Sequence, residues 1–259
     1  MEQYRLDGIQ AKLDRADEHL MTLADEIGCF VKAEPNRYVV HVDYAAGSYS
    51  VRVALQKQPP ARIAIICGDY VHCLRSALDH LARGLVPCPS LRTAYPIYST
   101  PEEFAANVRP AKKKRRGRLY GLDSTSAVFA YIEETQPYKG DHGIGSHPIW
   151  LLCQLSDQDK HRAILTLATS HGQSADLRVG GEGIEFVGKA AYSYDRPLED
   201  GAEVIRGQFK PITEGQPEVE MYGHLPLDVA FGDEGVPSES LHMLRNAARE
   251  VVATVLRLI

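Results

Sequence analysis

The sequence predicts an α+β fold in which a helical bundle carries an appended antiparallel β-sheet, and three observations point there. Apolar residues step by three and four near both chain ends, at Leu6, Ile9, Leu13, Ala16, Leu20, Leu23 and Ile27 and again at Leu241, Leu244, Ala248, Val251, Val255 and Ile259. A third helical pattern runs through RIAIICGDYVHCLRSALDHLARGL. From Ala163 onward the pattern changes to short β-prone runs separated by glycine-containing turns. Helices thus frame a β-rich block, the segregation of elements that marks an α+β chain.

The elements follow in order. The first stripe is narrow and predicts one long helix over residues 4–32, ended by Pro35 and Asn36. RYVVHVDY and SYSVRVAL alternate apolar with polar side chains around AAG, which predicts a β-hairpin over 37–55. Pro59-Pro60 announces a helix over 62–85, whose internal Gly68 implies close packing or a slight bend. Residues 86–105 read as a loop around TAYPIYS leading to PEEF, a short helix covers Ser124 to Glu134, and PIWLLCQLSDQDKHR closes a helix near Arg162. AILTLA, ADLRVGGEGIEFVGKAAYSY, EVIRGQFK, VEMYG and LPLDVAF read as strands, and Ser238 caps the last helix. The expected organisation is one domain, residues 1–259, with a helical core from 1–34, 61–162 and 237–259 and a β-rich part over 163–232.

Composition narrows the function classes. With 259 residues, 44% apolar and 24% charged, the chain has enough apolar content for a substantial core. The formal charge of -5 argues against a protein that coats nucleic acid indiscriminately, yet it leaves room for a local basic patch. The charged N-terminal segment and the lack of a long apolar run predict a cytoplasmic location and no membrane partner. Five scattered cysteines without a CxxC pair predict reduced, mostly buried thiols and no structural zinc site.

The 62–85 helix carries the chemistry. On a helical wheel Ile63, Ile66, Tyr70, Cys73, Leu74, Ala77, Leu78 and Leu81 share a core face. The opposite face collects His72, Arg75, Ser76, Asp79 and Arg83, with Asp69 and His80 at its edge. The spacing Arg75-Ser-Ala-Leu-Asp-His80 resembles the R-x4-6-H motif of the HEPN superfamily, helical-bundle proteins many of which are metal-independent ribonucleases in toxin and anti-phage systems. More widely, LRSALDHLARGL, YPIYSTPEEF, QPY and PIWLLCQLSDQDKHR are similar to a set of bacterial proteins in which such a helix precedes a DKHR segment, a likeness that implies no activity.

The HEPN resemblance implies a metal-independent endoribonuclease, a toxin or defence effector, with RNA as substrate, no cofactor, a homodimer lining up two motif helices, and an antitoxin or other defence protein as a further partner. Arg75, His80, Ser76, Asp79 and His72 are then the candidate catalytic residues. A histidine moves the proton of the ribose 2'-hydroxyl or of the leaving oxygen, and an arginine stabilises the charge developing on phosphorus. Arg75 and His80 point about 140° apart on one helix, which is why the site needs two copies. Asp79 is placed to hold Arg75 through an i, i+4 pair, and Ser76 to bind phosphate or orient His80.

Two further segments are candidate RNA contacts. Lys160, His161 and Arg162 lie at a helix end, where basic residues also complement the helix dipole. Lys112, Lys113, Lys114, Arg115 and Arg116 form the one concentrated cationic run, which attracts a polyanion or is simply solvated. Tyr95, Tyr98 and Tyr138 either stack on bases or anchor their loops to the core. A metal-dependent hydrolase is a rival reading, with His72, Asp79, His80, His142, His147, Asp157, Asp159 and His161 as available ligands, although neither HExxH nor paired ExxH occurs. A non-catalytic dimeric binding or assembly module is the other.

Overall fold

The computed structural model describes residues 3–34, 36–108, 117–141, 143–161, 164, 166–170, 178–180, 184–192, 199–211, 220–222 and 227–259. Among the described residues, six α-helices and nine strands make an α+β protein. The chain divides into two compact units: residues 1–24, 64–164 and 239–259 form one, and residues 25–63 and 165–238 form the other.

The helical unit contains most of α1 (Gln3–Lys32) and α2 (Ala61–Leu85), with α3 (Pro101–Val108), α4 (Ala127–Glu134), α5 (Pro148–His161) and α6 (Leu241–Leu258). The predicted stripes are buried except at their ends, where Leu6 is half-buried and Ile259 is 61% exposed. Leu13, Ala16, Leu74, Leu78, Leu81, Leu244 and Val251 are all nearly or wholly inaccessible, and α6 packs on α4 and α5. The two terminal helices are tied by charge as well. Asp17 of α1 receives Arg245 of α6 at 2.5 Å and also pairs with Arg249, which reaches Asp14 at 3.2 Å. Burial opposes ionisation of Asp17, but the two guanidiniums prevail and hold its carboxyl below the usual range.

Between α2 and α4 the chain from Thr93 to Tyr98 is bound by buried polar groups. Gln136, fully inaccessible, donates to the carbonyls of Pro96 at 3.0 Å and Ile132 at 2.9 Å, and accepts the N–H of Tyr98 at 3.1 Å. A buried side-chain amide is stable only when its donors and acceptor are matched in this way.

In the second unit, β1 (Asn36–Asp43) and β2 (Ser48–Leu55) form the expected hairpin, closed by Gly47 at φ +59°, a conformation glycine adopts without steric cost. The hairpin does not stand apart from the later strands. It extends into an antiparallel sheet of order β1-β2-β6-β5, with β5 spanning Ile184–Tyr192 and β6 spanning Glu203–Pro211. Tyr49, Val51, Val53, Ile205 and Phe209 make its buried face. A second antiparallel sheet joins β3 (Thr166–Ser170), β8 (Leu227–Phe231) and β9 (Val236–Pro237), and β4 (Arg178–Gly180) pairs with β7 (Glu220–Tyr222).

Three local departures from the sequence reading have physical causes. PEEF belongs to a helix, α3, with Pro101 at its first position and Thr100 Oγ1 accepting the N–H of Glu103. The helix expected from Ser124 begins instead at Ala127, because Ser126 caps α4 by accepting the N–H of Phe129. Ser238 is not the cap of α6: its hydroxyl donates to Asp228 at 2.6 Å, and a turn of 3-10 helix over Ser238–Ser240 precedes the helix. Of the five cysteines, Cys67 and Cys73 are buried, while Cys29 and Cys88 are exposed.

Candidate functional site

Helix α2 places the five motif residues along its outer arc, and the structure joins four of them in two pairs, with His80 outside both. Arg75 and Asp79 form the first. Arg75 Nη2 lies 3.1 Å from Asp79 Oδ1, as the i, i+4 spacing led one to expect, and donates to the carbonyl of Tyr95 at 2.8 Å. Asp79 Oδ1 in turn accepts the N–H of Tyr95 at 2.9 Å. The side chain of Arg75 is only 11% exposed. Its guanidinium therefore fastens the Tyr95 segment to α2, and its Nη1 is buried without a hydrogen-bond partner.

Tyr95 completes the clamp from the other side. Its ring is inaccessible and its hydroxyl lies 2.6 Å from Thr135 Oγ1, so it anchors the loop and is closed to base stacking. Burial pushes its phenol far above the ordinary range. Tyr98 accepts from Arg118 Nε at 2.7 Å and meets Phe104 edge to face, as Tyr138 does.

His72 and Ser76 form the second pair, with Ser76 Oγ 3.3 Å from His72 Nε2. Ser76 therefore engages the histidine one turn before it, where the expectation was that it would bind phosphate or orient His80. His72 and His80 are both exposed. His80 borders α1: a methyl group built on Gly8 would stand 3.9 Å from its Nδ1.

Helix α1 contributes cations along this side. Lys12, Arg15 and His19 recur at helical spacing after Gly8 and lie on one flank. Burial pushes the Cys73 thiol up, and the charges of Lys12, Asp69 and Arg15 also act on it. Burial and the positive charge of Arg15 hold His19 below the usual imidazole range, against the pull of Asp69. The exposed arc of α2 thus faces solvent beside Lys12, Arg15 and His19, with His72 and His80 on it. The carboxylates here are Asp69 and Glu18, the latter paired with Arg15 at 2.5 Å.

Helix α5 runs past α2 on the Arg75 side. The Asp159 carboxylate lies against Gly68, where a methyl group would overlap it unless that side chain moved aside, which is the close packing expected at this glycine. Burial raises the Cys153 thiol, and both Arg75 and Lys160 act on it in the opposite sense. Lys160 pairs with Asp157 at 3.0 Å, both about half exposed, and His161 is exposed in the last turn of α5. Arg162 and the run Lys112 to Arg116 lie outside the described residues, as does His142.

His147 is half-buried with Nδ1 unpartnered, and burial holds its imidazole below the usual range. Among the described residues no group of three or more His, Cys, Asp or Glu is arranged to hold a metal ion. No described helix is long and apolar enough to cross a membrane.

The single chain therefore brings Arg75 to Asp79 and His72 to Ser76, and it does not bring Arg75 to His80. Sequence reasoning missed the clamp on Arg75 because the partner is a backbone carbonyl, and it missed Gln136 although QPY was in view. Comparison of the chain with family models, with curated proteins and with solved structures gave no match.

Proposed function

We propose that the helical unit is a non-catalytic, dimeric binding module that takes RNA through the exposed arc of α2 and the neighbouring cations of α1. The observation that carries this reading is the state of Arg75. A guanidinium that is 11% exposed, paired with Asp79 and bonded to the Tyr95 carbonyl serves the fold and is poorly placed to grip a scissile phosphate. The arc and its flank carry Lys12 and His80, with His72 beside Ser76 and Arg15 beside Glu18, and these side chains suit phosphate contacts that position a polyanion. Two copies facing each other through this arc would line one cleft with both sets.

The nuclease reading keeps one specific support. Arg75 Nη1 has no partner, and His80 is solvent-accessible on the same helix. A small rotation of α2 against its twin would then have to present that nitrogen to a phosphate.

Fluorescence anisotropy with single-stranded RNA, in EDTA, tests the proposal. Saturable binding is expected, weakening with salt and falling several-fold in Lys12→Ala, His72→Ala and His80→Ala. Binding that ignores all three substitutions would overturn the proposed surface.

A further inference from the structure

The open face of the four-stranded sheet holds a cluster that the helical unit does not explain. In a regular strand, residues three apart point to opposite faces. Glu203 and Arg206 nevertheless share a face, because the β2–β6 register shifts between Val51 and Arg52 and both Val204 and Ile205 turn inward, each 1% exposed. Bulges that re-aim side chains in this way are a recurrent device at binding sites.

The consequence is a pair of guanidiniums around one carboxylate. Arg206 donates to Glu203 through Nε at 2.7 Å and Nη2 at 3.0 Å, and Arg52 Nη2 stands 3.8 Å from the same carboxylate on the opposite strand. Hydrogen bonding from Arg206 holds Glu203 below its ordinary carboxylate range, so the carboxylate stays charged and orients both arginines. Arg52 and Arg206 remain 49% and 69% exposed. One carboxylate shared by two cations leaves positive charge facing outward.

Polar residues extend the cluster across the sheet. Ser50 sits opposite both His41 on β1 and Arg206 on β6, so the three form a cross-strand row. Asp43 lies one row further on, with its Oδ1 accepting the N–H of Ala46. Together these residues line a shallow groove of about 490 Å³, within the range of small-molecule sites.

We propose that this groove binds a small hydroxylated phosphate monoester, with the phosphate between Arg52 and Arg206. Two guanidiniums, the Ser50 hydroxyl and the His41 ring offer more donors than a carboxylate can accept and match the three terminal oxygens of a phosphate monoester. The remaining oxygen of Asp43 accepts a hydroxyl of the ligand body. This site is independent of the α2 arc.

Calorimetric titration of the full chain with ribose 5-phosphate, ribose and inorganic phosphate tests it. Ribose 5-phosphate is expected to saturate at millimolar concentrations or below, inorganic phosphate to bind more weakly, and ribose not at all. Arg52→Gln and Arg206→Gln, both on an exposed face, should each weaken binding about tenfold with unchanged thermal stability. His80→Ala should leave it intact. Absence of saturable binding, equal binding of ribose, or full binding in the Arg52→Gln/Arg206→Gln variant would overturn the proposal.

Discussion

Arg75 Nη2 stands 3.1 Å from Asp79 Oδ1, and that same oxygen accepts the backbone N–H of Tyr95, whose carbonyl accepts from Arg75 in return. The three groups form a closed clamp in which a cation, a carboxylate and one residue's backbone satisfy each other. Its free energy goes into seating the 93–98 loop on α2.

Arg75→Ala should therefore destabilise the protein by about 2 kcal/mol, the usual cost of losing a charged hydrogen bond and leaving a carbonyl without its donor. Chemical denaturation measures it. An unchanged midpoint would mean that the clamp is incidental and the arginine is free for other work.

Asp17 links α1 to α6, and its contribution depends on pH with a definite sign. Its folded value lies below the ordinary 3.8, so the stability it adds is complete above 3.8 and is lost as pH falls through the depressed value. Asp17→Asn should lower the melting temperature at neutral pH and show less acid-dependent loss than the parent in the range below pH 4. Equal acid dependence of the two proteins would remove Asp17 from that role.

His147 acts higher on the scale. Its folded value is held below 6.5 by burial, so the unfolded chain binds the proton first and stability falls as pH drops from 6.5 toward the folded value. His19 contributes in the same direction. Melting temperatures of parent and His147→Gln measured across this range should converge toward acid, and parallel curves would contradict it.

Gly207 is required by the Tyr49 ring, which lies across it on the neighbouring strand and meets Phe186 edge to face with centroids 5.7 Å apart. Gly207→Ala would place a methyl group inside that ring and should cost about 1–3 kcal/mol through forced repacking. Placing the same change in a Tyr49→Leu background should cost less, and a double-mutant cycle by urea denaturation reads the difference.

The sequence carried the helices well because α1, α2 and α6 each bury one continuous stripe, and periodicity records a single helix's burial without knowledge of its neighbours. It also carried the Arg75–Asp79 pair, a local i, i+4 relationship. Pairing of β2 with β6 joins residues about 155 positions apart, and no local pattern encodes such a partner. Some signals were present and unread. Ser99-Thr100-Pro101-Glu102-Glu103 has the proline and capping chemistry that begins α3. Val204-Ile205 between Glu203 and Arg206 is the doubled apolar step that a bulge leaves in an alternating strand. What was illegible at the candidate site was the clamp on Arg75, since the backbone atoms that hold it have no sequence signature.

End-group analysis of RNA after incubation with the purified protein in EDTA tests most directly whether α2 binds or cuts. The clamp on Arg75 predicts RNA recovered at full length by the parent protein. Fragments ending in 2',3'-cyclic phosphate, lost in both Arg75→Ala and His80→Ala variants that remain folded, would contradict it.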